Sequence, residues 1–170
     1  VRGDEVVKVS KRTGKALTLA DLMDEIGVDA CRFFFNAKPD THLEFDLDLA
    51  VREDSENPVY YVQYAYARIC TLLKNLAAEG YSVPRAAEAD LSVLNGEEEK
   101  ALIKQLAKYP AGGVLAARDY DPSFINRYLS DLAAAFHKFY NACRIKGEAE
   151  NVLLARLKLA DTARAVLKNG

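Results

Sequence analysis

The chain has 170 residues, enough to bury one sizeable core, and its 50% hydrophobic and 28% charged residues are an ordinary globular balance. A net charge of −2 and a pI near 5.8 argue against the broad basic face that sequence-independent phosphate binding needs. There is no run of roughly 18 apolar residues for a membrane span, and Val1-Arg2-Gly3-Asp4 lacks the apolar core of a signal peptide.

A start on Val1 instead of Met points to a piece of something longer. Glu5-Val6-Val7-Lys8-Val9 alternates as a short strand and leads into a basic loop around Gly14. Thr18 then has the chemistry of an N-cap, with Asp21 three residues on as a short-armed capping-box partner, and Gly27 stops that helix. Residues 29–37 fit a second short helix with Phe33, Phe34 and Phe35 assigned to the core, ended by Pro39. Asp46 caps a third over 47–53. The pair Asp46 and Asp48 is therefore a cap and first turn, not a set of paired catalytic acids.

Asn57-Pro58 is a strong helix start, and the spacing predicts a helix to about Ala78 with Gly80 as its left-handed stop. Val62, Ile69, Leu72, Leu73 and Leu76 form its apolar stripe. Residues 81–95 are expected as a polar loop, followed by a helix from Asn95 or Gly96 to before Pro110 and a short one over 110–119. Asp121-Pro122 repeats the Asn-Pro device and opens a helix to about Ile145, buried through Ile125, Tyr128/Leu129, Leu132, Phe136, Phe139 and Cys143, with Gly147 as the break. A last helix covers 149–168 through Val152, Leu153, Leu157, Leu159 and Val166. The fold class is all-α, a helical bundle preceded by a strand-loop and small helices.

Cys31, Cys70 and Cys143 are odd in number and widely spaced, which points to reduced thiols of a cytosolic protein without disulfide or metal roles. His42 and His137 are too far apart for a paired nucleotide-binding element, and no Gly-rich phosphate loop precedes a helix. Two helix strips carry chemistry instead. At about 100° per residue, Tyr61, Tyr64 and Arg68 share one strip, and His137, Tyr140, Asn141 and Arg144 share another. Aromatic rings with a guanidinium and an amide suit unstacked RNA bases and the phosphates between them. The plainer alternatives are tyrosines that edge the core with hydroxyls in water, and a core histidine with a hydrogen-bonded partner.

Several collinear blocks carry a family resemblance. Lys8-Val9-Ser10-Lys11-Arg12 resembles the Lys-Met-Ser-Lys-Ser loop of class I aminoacyl-tRNA synthetases, with Val9 in place of Met and Arg12 in place of the final Ser. Gly27 to Phe35, Phe45 to Ala50, Asn57 to Arg68 and Leu132 to Arg144 follow in the order of the C-terminal half of arginyl-tRNA synthetase. The resemblance covers most of residues 6–170. It implies that Lys8, Ser10, Lys11 and Arg12 belong to the ATP loop, where lysine ammonium groups stabilise charge developing on the α-phosphate. From spacing alone the same loop is a solvated basic hairpin. It further implies residues 1–50 as the end of the catalytic domain and 51–170 as the helical anticodon-binding domain. Tyr64, Arg68, Tyr140, Asn141 and His137 are then candidate contacts to the tRNA(Arg) anticodon stem-loop. The parent reaction would join arginine to tRNA(Arg) with ATP and Mg²⁺ in the cytoplasm, with no membrane or DNA partner. This stretch alone, without most of the nucleotide-binding sheet, is expected to be inactive and to bind neither cofactor. Two rivals stand beside this reading: the equivalent domain of another class I synthetase such as the cysteinyl enzyme, and a helical protein-interaction module with no RNA role.

Overall fold

Short polar side chains cap the starts of three helices in the computed structural model, which describes residues 18–41 and 45–170. The expected strand at 5–9 lies outside the described residues. In front of α1 (Leu19–Ile26), Thr18 Oγ1 accepts the Asp21 N–H at 3.1 Å, and the Asp21 carboxylate accepts the Thr18 N–H at 2.8 Å. Two amides without helical partners are thus satisfied reciprocally. Gly27, at φ 84°, lets the chain turn straight into α2 (Val28–Ala37). Asp46 accepts the Leu49 N–H at 3.0 Å and opens α3 (Leu47–Val51).

Asn57 does two jobs at the start of α4 (Pro58–Ala78). Its Oδ1 accepts the Val59 N–H at 3.0 Å, while its Nδ2 donates to the Ala50 and Arg52 carbonyls at 3.1 and 2.8 Å. One buried side chain therefore caps α4 and ties it to the end of α3. Gly80 at φ 92° follows the far end, as its position after the last helical turn predicts. The stretch expected as plain loop contains one 3-10 turn, Leu91–Val93, which delivers Leu94 into the core. Then come α5 (Glu97–Ala107), α6 (Tyr109–Asp119), α7 (Ser123–Ala142) and α8 (Glu150–Asn169). Among the described residues there is no strand, so the all-α expectation holds.

Helix α7 is the hub: it packs against α2, α4, α5, α6 and α8. Its Leu132, Phe136 and Phe139 meet Ile69 and Leu76 of α4 and Leu153 and Leu157 of α8 in the main core. Leu22, Cys31 and Leu47 form a separate small cluster among the first three helices. The two groups of helices are joined by Asn126, whose Nδ2 donates to the Phe33 carbonyl at 2.9 Å. Inside the bundle, the Glu99 carboxylate is paired with Arg156 at 2.6 Å and also accepts the Gly96 N–H at 2.7 Å. A buried carboxylate with both a cation and an amide partner avoids the cost of an unpaired charge.

Two sequence expectations fail for physical reasons. Helix α7 ends at Ala142, three residues short of Ile145. Cys143 is extended (φ −107°, ψ 101°), Cys143 and Ile145 are both buried, and the Arg144 carbonyl is claimed by Arg156 of α8. Tertiary anchoring of this turn overrides the helical pattern, and Gly147 (φ 84°) only redirects the chain afterwards. Nor are Phe33, Phe34 and Phe35 all core. Three consecutive helical residues span about 200° of arc, so one must face away. Phe35 does, at 45% exposure, while its neighbours are half-buried.

Candidate functional site

The α4–α7 contact brings the two aromatic strips together into one surface. On α4, Tyr60, Tyr64 and Arg68 recur every four residues and line one side of the helix. On α7, His137, Tyr140 and Asn141 occupy the facing side one position away from Phe136 and Phe139 of the core. Arg68 stands at the centre. Its Nη2 donates to the Tyr64 hydroxyl at 3.0 Å, and its Nη1 lies 3.3 Å from His137 Nδ1. The guanidinium carbon sits 4.8 Å from the centroids of both the Tyr64 and the Tyr140 rings. Cation–π attraction and two hydrogen bonds thus hold one arginine with no acidic partner in this set.

The rings are also ordered among themselves. Tyr60 and Tyr64 stack at 5.8 Å with planes 8° apart, and Tyr64 lies 5.7 Å from His137 at 26°. Tyr61 covers the histidine at 4.7 Å. Tyr64 is therefore not a bare platform: its ring already has aromatic neighbours, although the residue remains 41% exposed. His137 is 8% exposed, and its Nε2 is buried without a hydrogen-bond partner. Burial first, then the adjacent Arg68 guanidinium, holds its pKa below the usual histidine value; the Tyr61 main chain works weakly the other way.

Two depressions open on either side of Arg68. One, of about 430 Å³, is lined by Ser55, Tyr60, Tyr61, His137 and Asn141, with Glu53 and Asp54 at its rim. The other, of about 670 Å³, runs along α4 past Thr71 and Asn75 to Tyr140 and Lys146. A third cleft of about 490 Å³ lies where α1–α2 and α3 meet the start of α4. Its lining mixes Glu25, Asp29 and Glu53 with one cation, Arg52, and one ring, Tyr60, whereas the α4–α7 surface gathers several rings around its arginine.

Of the residues singled out from sequence, Tyr64, Arg68, His137, Tyr140 and Asn141 all meet here, although they were read as two separate strips. Lys8, Ser10, Lys11 and Arg12 lie outside the described residues. Tyr60 and Lys146 were missed. Tyr60 had a sequence signal, four residues before Tyr64 on the same strip, whereas Lys146 reaches the groove only because the α7–α8 turn folds back beside α4. Asp46 is the helix cap it was read as. Cys31, Cys70 and Cys143 are free, and the described residues contain no cluster of three or more His, Cys, Asp or Glu suited to a metal. No described helix is long and apolar enough to cross a membrane.

Curated relatives include the arginine–tRNA ligases of Acetivibrio thermocellus, 53% identical over 169 residues, and of Ruminiclostridium cellulolyticum, 49% identical over 169 residues. Each match takes in 99% of this chain but 30% of the relative, so the chain spans about a third of their length. Among solved structures, one assigned as an arginyl-tRNA synthetase from Campylobacter jejuni superposes with a TM-score of 0.85 at 36% identity, over 99% of this chain and 36% of that one. The Thermus thermophilus arginyl-tRNA synthetase shares the fold, with a TM-score of 0.72 at 23% identity over 94% of this chain and 27% of its own. Residues 62–170, which carry all of α7 and α8 and most of α4, match the DALR anticodon binding domain, and the chain belongs to that family.

Proposed function

We propose that this chain is the tRNA-binding C-terminal part of an arginyl-tRNA synthetase and that the α4–α7 surface holds the tRNA(Arg) anticodon stem-loop. The observation that carries the reading is the convergence of Tyr60, Tyr64, Arg68, His137, Tyr140 and Asn141 on one face of the family-matched bundle. Rings offer faces to unstacked bases, and the guanidinium has N–H donors beyond the two engaged by Tyr64 and His137. This also reconciles RNA binding with a net charge of −2: a few placed aromatic and cationic groups replace a broad basic field.

In this reading, residues 51–170 are the anticodon-binding domain and residues 1–50 the end of a catalytic domain carrying the loop Lys8, Ser10, Lys11 and Arg12. The whole enzyme joins arginine to tRNA(Arg) in the cytoplasm with ATP and Mg²⁺. The described residues offer no donor set for that metal, and the rest of the catalytic domain is the other partner of this piece. Relatives named as arginine–tRNA ligases favour this assignment over the cysteinyl alternative and over a protein-interaction module.

The test is direct binding of an isolated tRNA(Arg) anticodon stem-loop, measured beside stem-loops with each anticodon base changed. The expected result is preference for the arginine anticodon. Equal affinity for all loops, or for none, would remove the anticodon role.

A further inference from the structure

We infer that Asn57 and Asn126 are positioning residues: their side-chain amides set the angle at which the α4–α7 face is held against α1–α3, and with it the register of bound tRNA against the catalytic part of the parent enzyme. This rests on the tRNA-binding reading above and concerns the joint behind that face, not the face itself.

Two features of the joint call for such residues. Leu22, Cys31 and Leu47 of α1–α3 fall in a cluster separate from the bundle core, so among the described residues no single cluster of buried apolar side chains spans both groups of helices. A cleft of about 490 Å³, lined by Gly27, Ala30, Ala50 and Asn57 among others, opens where the groups meet, in place of the close packing of an interior. Apolar burial is non-directional, whereas a hydrogen bond weakens steeply when bent. At such a joint the amides decide the geometry.

Asn57 meets that need from both ends. Its Oδ1 accepts the Val59 N–H and caps α4, while its Nδ2 donates to the Ala50 and Arg52 carbonyls at the end of α3. Those carbonyls lie where intrahelical donors run out. The residue is 4% exposed, so water competes little for these bonds. Between the helices, Arg52 pairs with Asp54 at 2.7 Å and with Glu56 at 2.5 Å, and Asp54 accepts the Glu56 N–H at 2.9 Å, which orders the connection itself. Asn126 ties from α7, donating to the Phe33 carbonyl of α2 at 2.9 Å. Both ties spring from the two helices that carry Tyr60, Tyr64, Arg68, His137 and Tyr140, and Asn57 stands three residues before Tyr60. A shift of either helix under bound RNA is thereby carried into α1–α3.

Variants of the full-length parent enzyme separate the cap from the tie. N57S keeps a capping oxygen but has no amide to reach α3, whereas N57A loses both. N57A should lower the thermal midpoint, and N57S should recover most of that loss. Even so, N57S should charge tRNA(Arg) with a kcat lower by about 10- to 100-fold, the scale on which misplaced reacting groups slow a step, while KM for tRNA(Arg) and affinity for the anticodon stem-loop stay native. N126L removes the other donor at similar volume and should show the same split. Native kcat in N57S or N126L, measured well below the midpoint, overturns the inference. A loss confined to KM overturns it as well, because the amides would then act on the RNA face alone. If the native parent enzyme does not charge tRNA(Arg), the functional reading fails instead, and that control tells the two failures apart.

Discussion

The two sides of α7 show how one helix can carry both a core and the face proposed for RNA. Leu132, Phe136 and Phe139 are wholly buried, and their neighbours are aliphatic or aromatic carbon. One residue on, His137 and Tyr140 are edged by the same core but end in polar atoms that meet Arg68 across the α4 contact. The core side is satisfied within the chain. The other side is less so: Arg68 is held by rings and a histidine with no ion pair among the described residues, and His137 Nε2 is buried without a side-chain partner. The difference teaches that a functional face is recognised by unfinished polar chemistry more than by exposure, for His137 is nearly as buried as the phenylalanines.

The sharpest way to break this comparison is to truncate on each side. Phe136 is fully buried, so F136A should cost about 3–5 kcal/mol of stability. Chemical denaturation would measure it, and affinity for RNA per folded molecule should stay unchanged. A cost near zero would mean the core side collapses around the hole. On the recognition side, Y140A should behave oppositely. It should lower tRNA affinity by about 1–3 kcal/mol, the worth of a stacking ring, with a much smaller loss of stability than F136A because Tyr140 is only half-buried. A large fall in the thermal midpoint with unchanged affinity would return Tyr140 to the core.

What could be seen without coordinates follows the same division. Helix starts and stops depend on one to three neighbouring residues, so Thr18 with Asp21, Asn57-Pro58 and Gly80 were legible, and each cap forms as its chemistry requires. Tyr64, Arg68, His137 and Tyr140 were legible as candidates because helical spacing places them on strips. That the strips meet was not legible, since the α4–α7 approach depends on how distant residues pack. The same holds for the early end of α7, set by Arg156 reaching the Arg144 carbonyl, and for Phe35, which faces outward because only two of three adjacent rings can turn inward. The loop of Lys8 and Lys11 was legible only by resemblance.

A subtler change separates charge from stacking within the recognition side. Arg68 links Tyr64, Tyr140 and His137, so R68A removes a cation and loosens three rings at once. If the guanidinium meets a phosphate, the slope of log affinity against log salt should shrink by about 0.7–0.9. R68K would restore most of that slope while leaving the Tyr64 and His137 contacts weakened, because a lysine lacks the planar fork. An unchanged slope in R68A would assign the arginine to arranging the rings alone.

The smallest effect concerns protons. Burial, and after it the Arg68 guanidinium, lowers the His137 pKa from its ordinary 6.5, so the folded chain resists a proton that the unfolded chain accepts. A depressed folded-state pKa gives stability that is fully present above about 6.5 and is lost progressively as pH falls toward and through the folded value. Below that value both states are protonated and the dependence levels off. The chain should therefore become easier to denature with urea as pH drops below 6.5, and H137F should remove that part of the slope while leaving the carboxylate-driven part at lower pH intact. R68A should shrink it, because the second cause of the depression is gone while burial remains. If R68A instead left the slope whole, burial alone would account for the shift, and the arginine's hold on the histidine would be weaker than the 3.3 Å contact indicates.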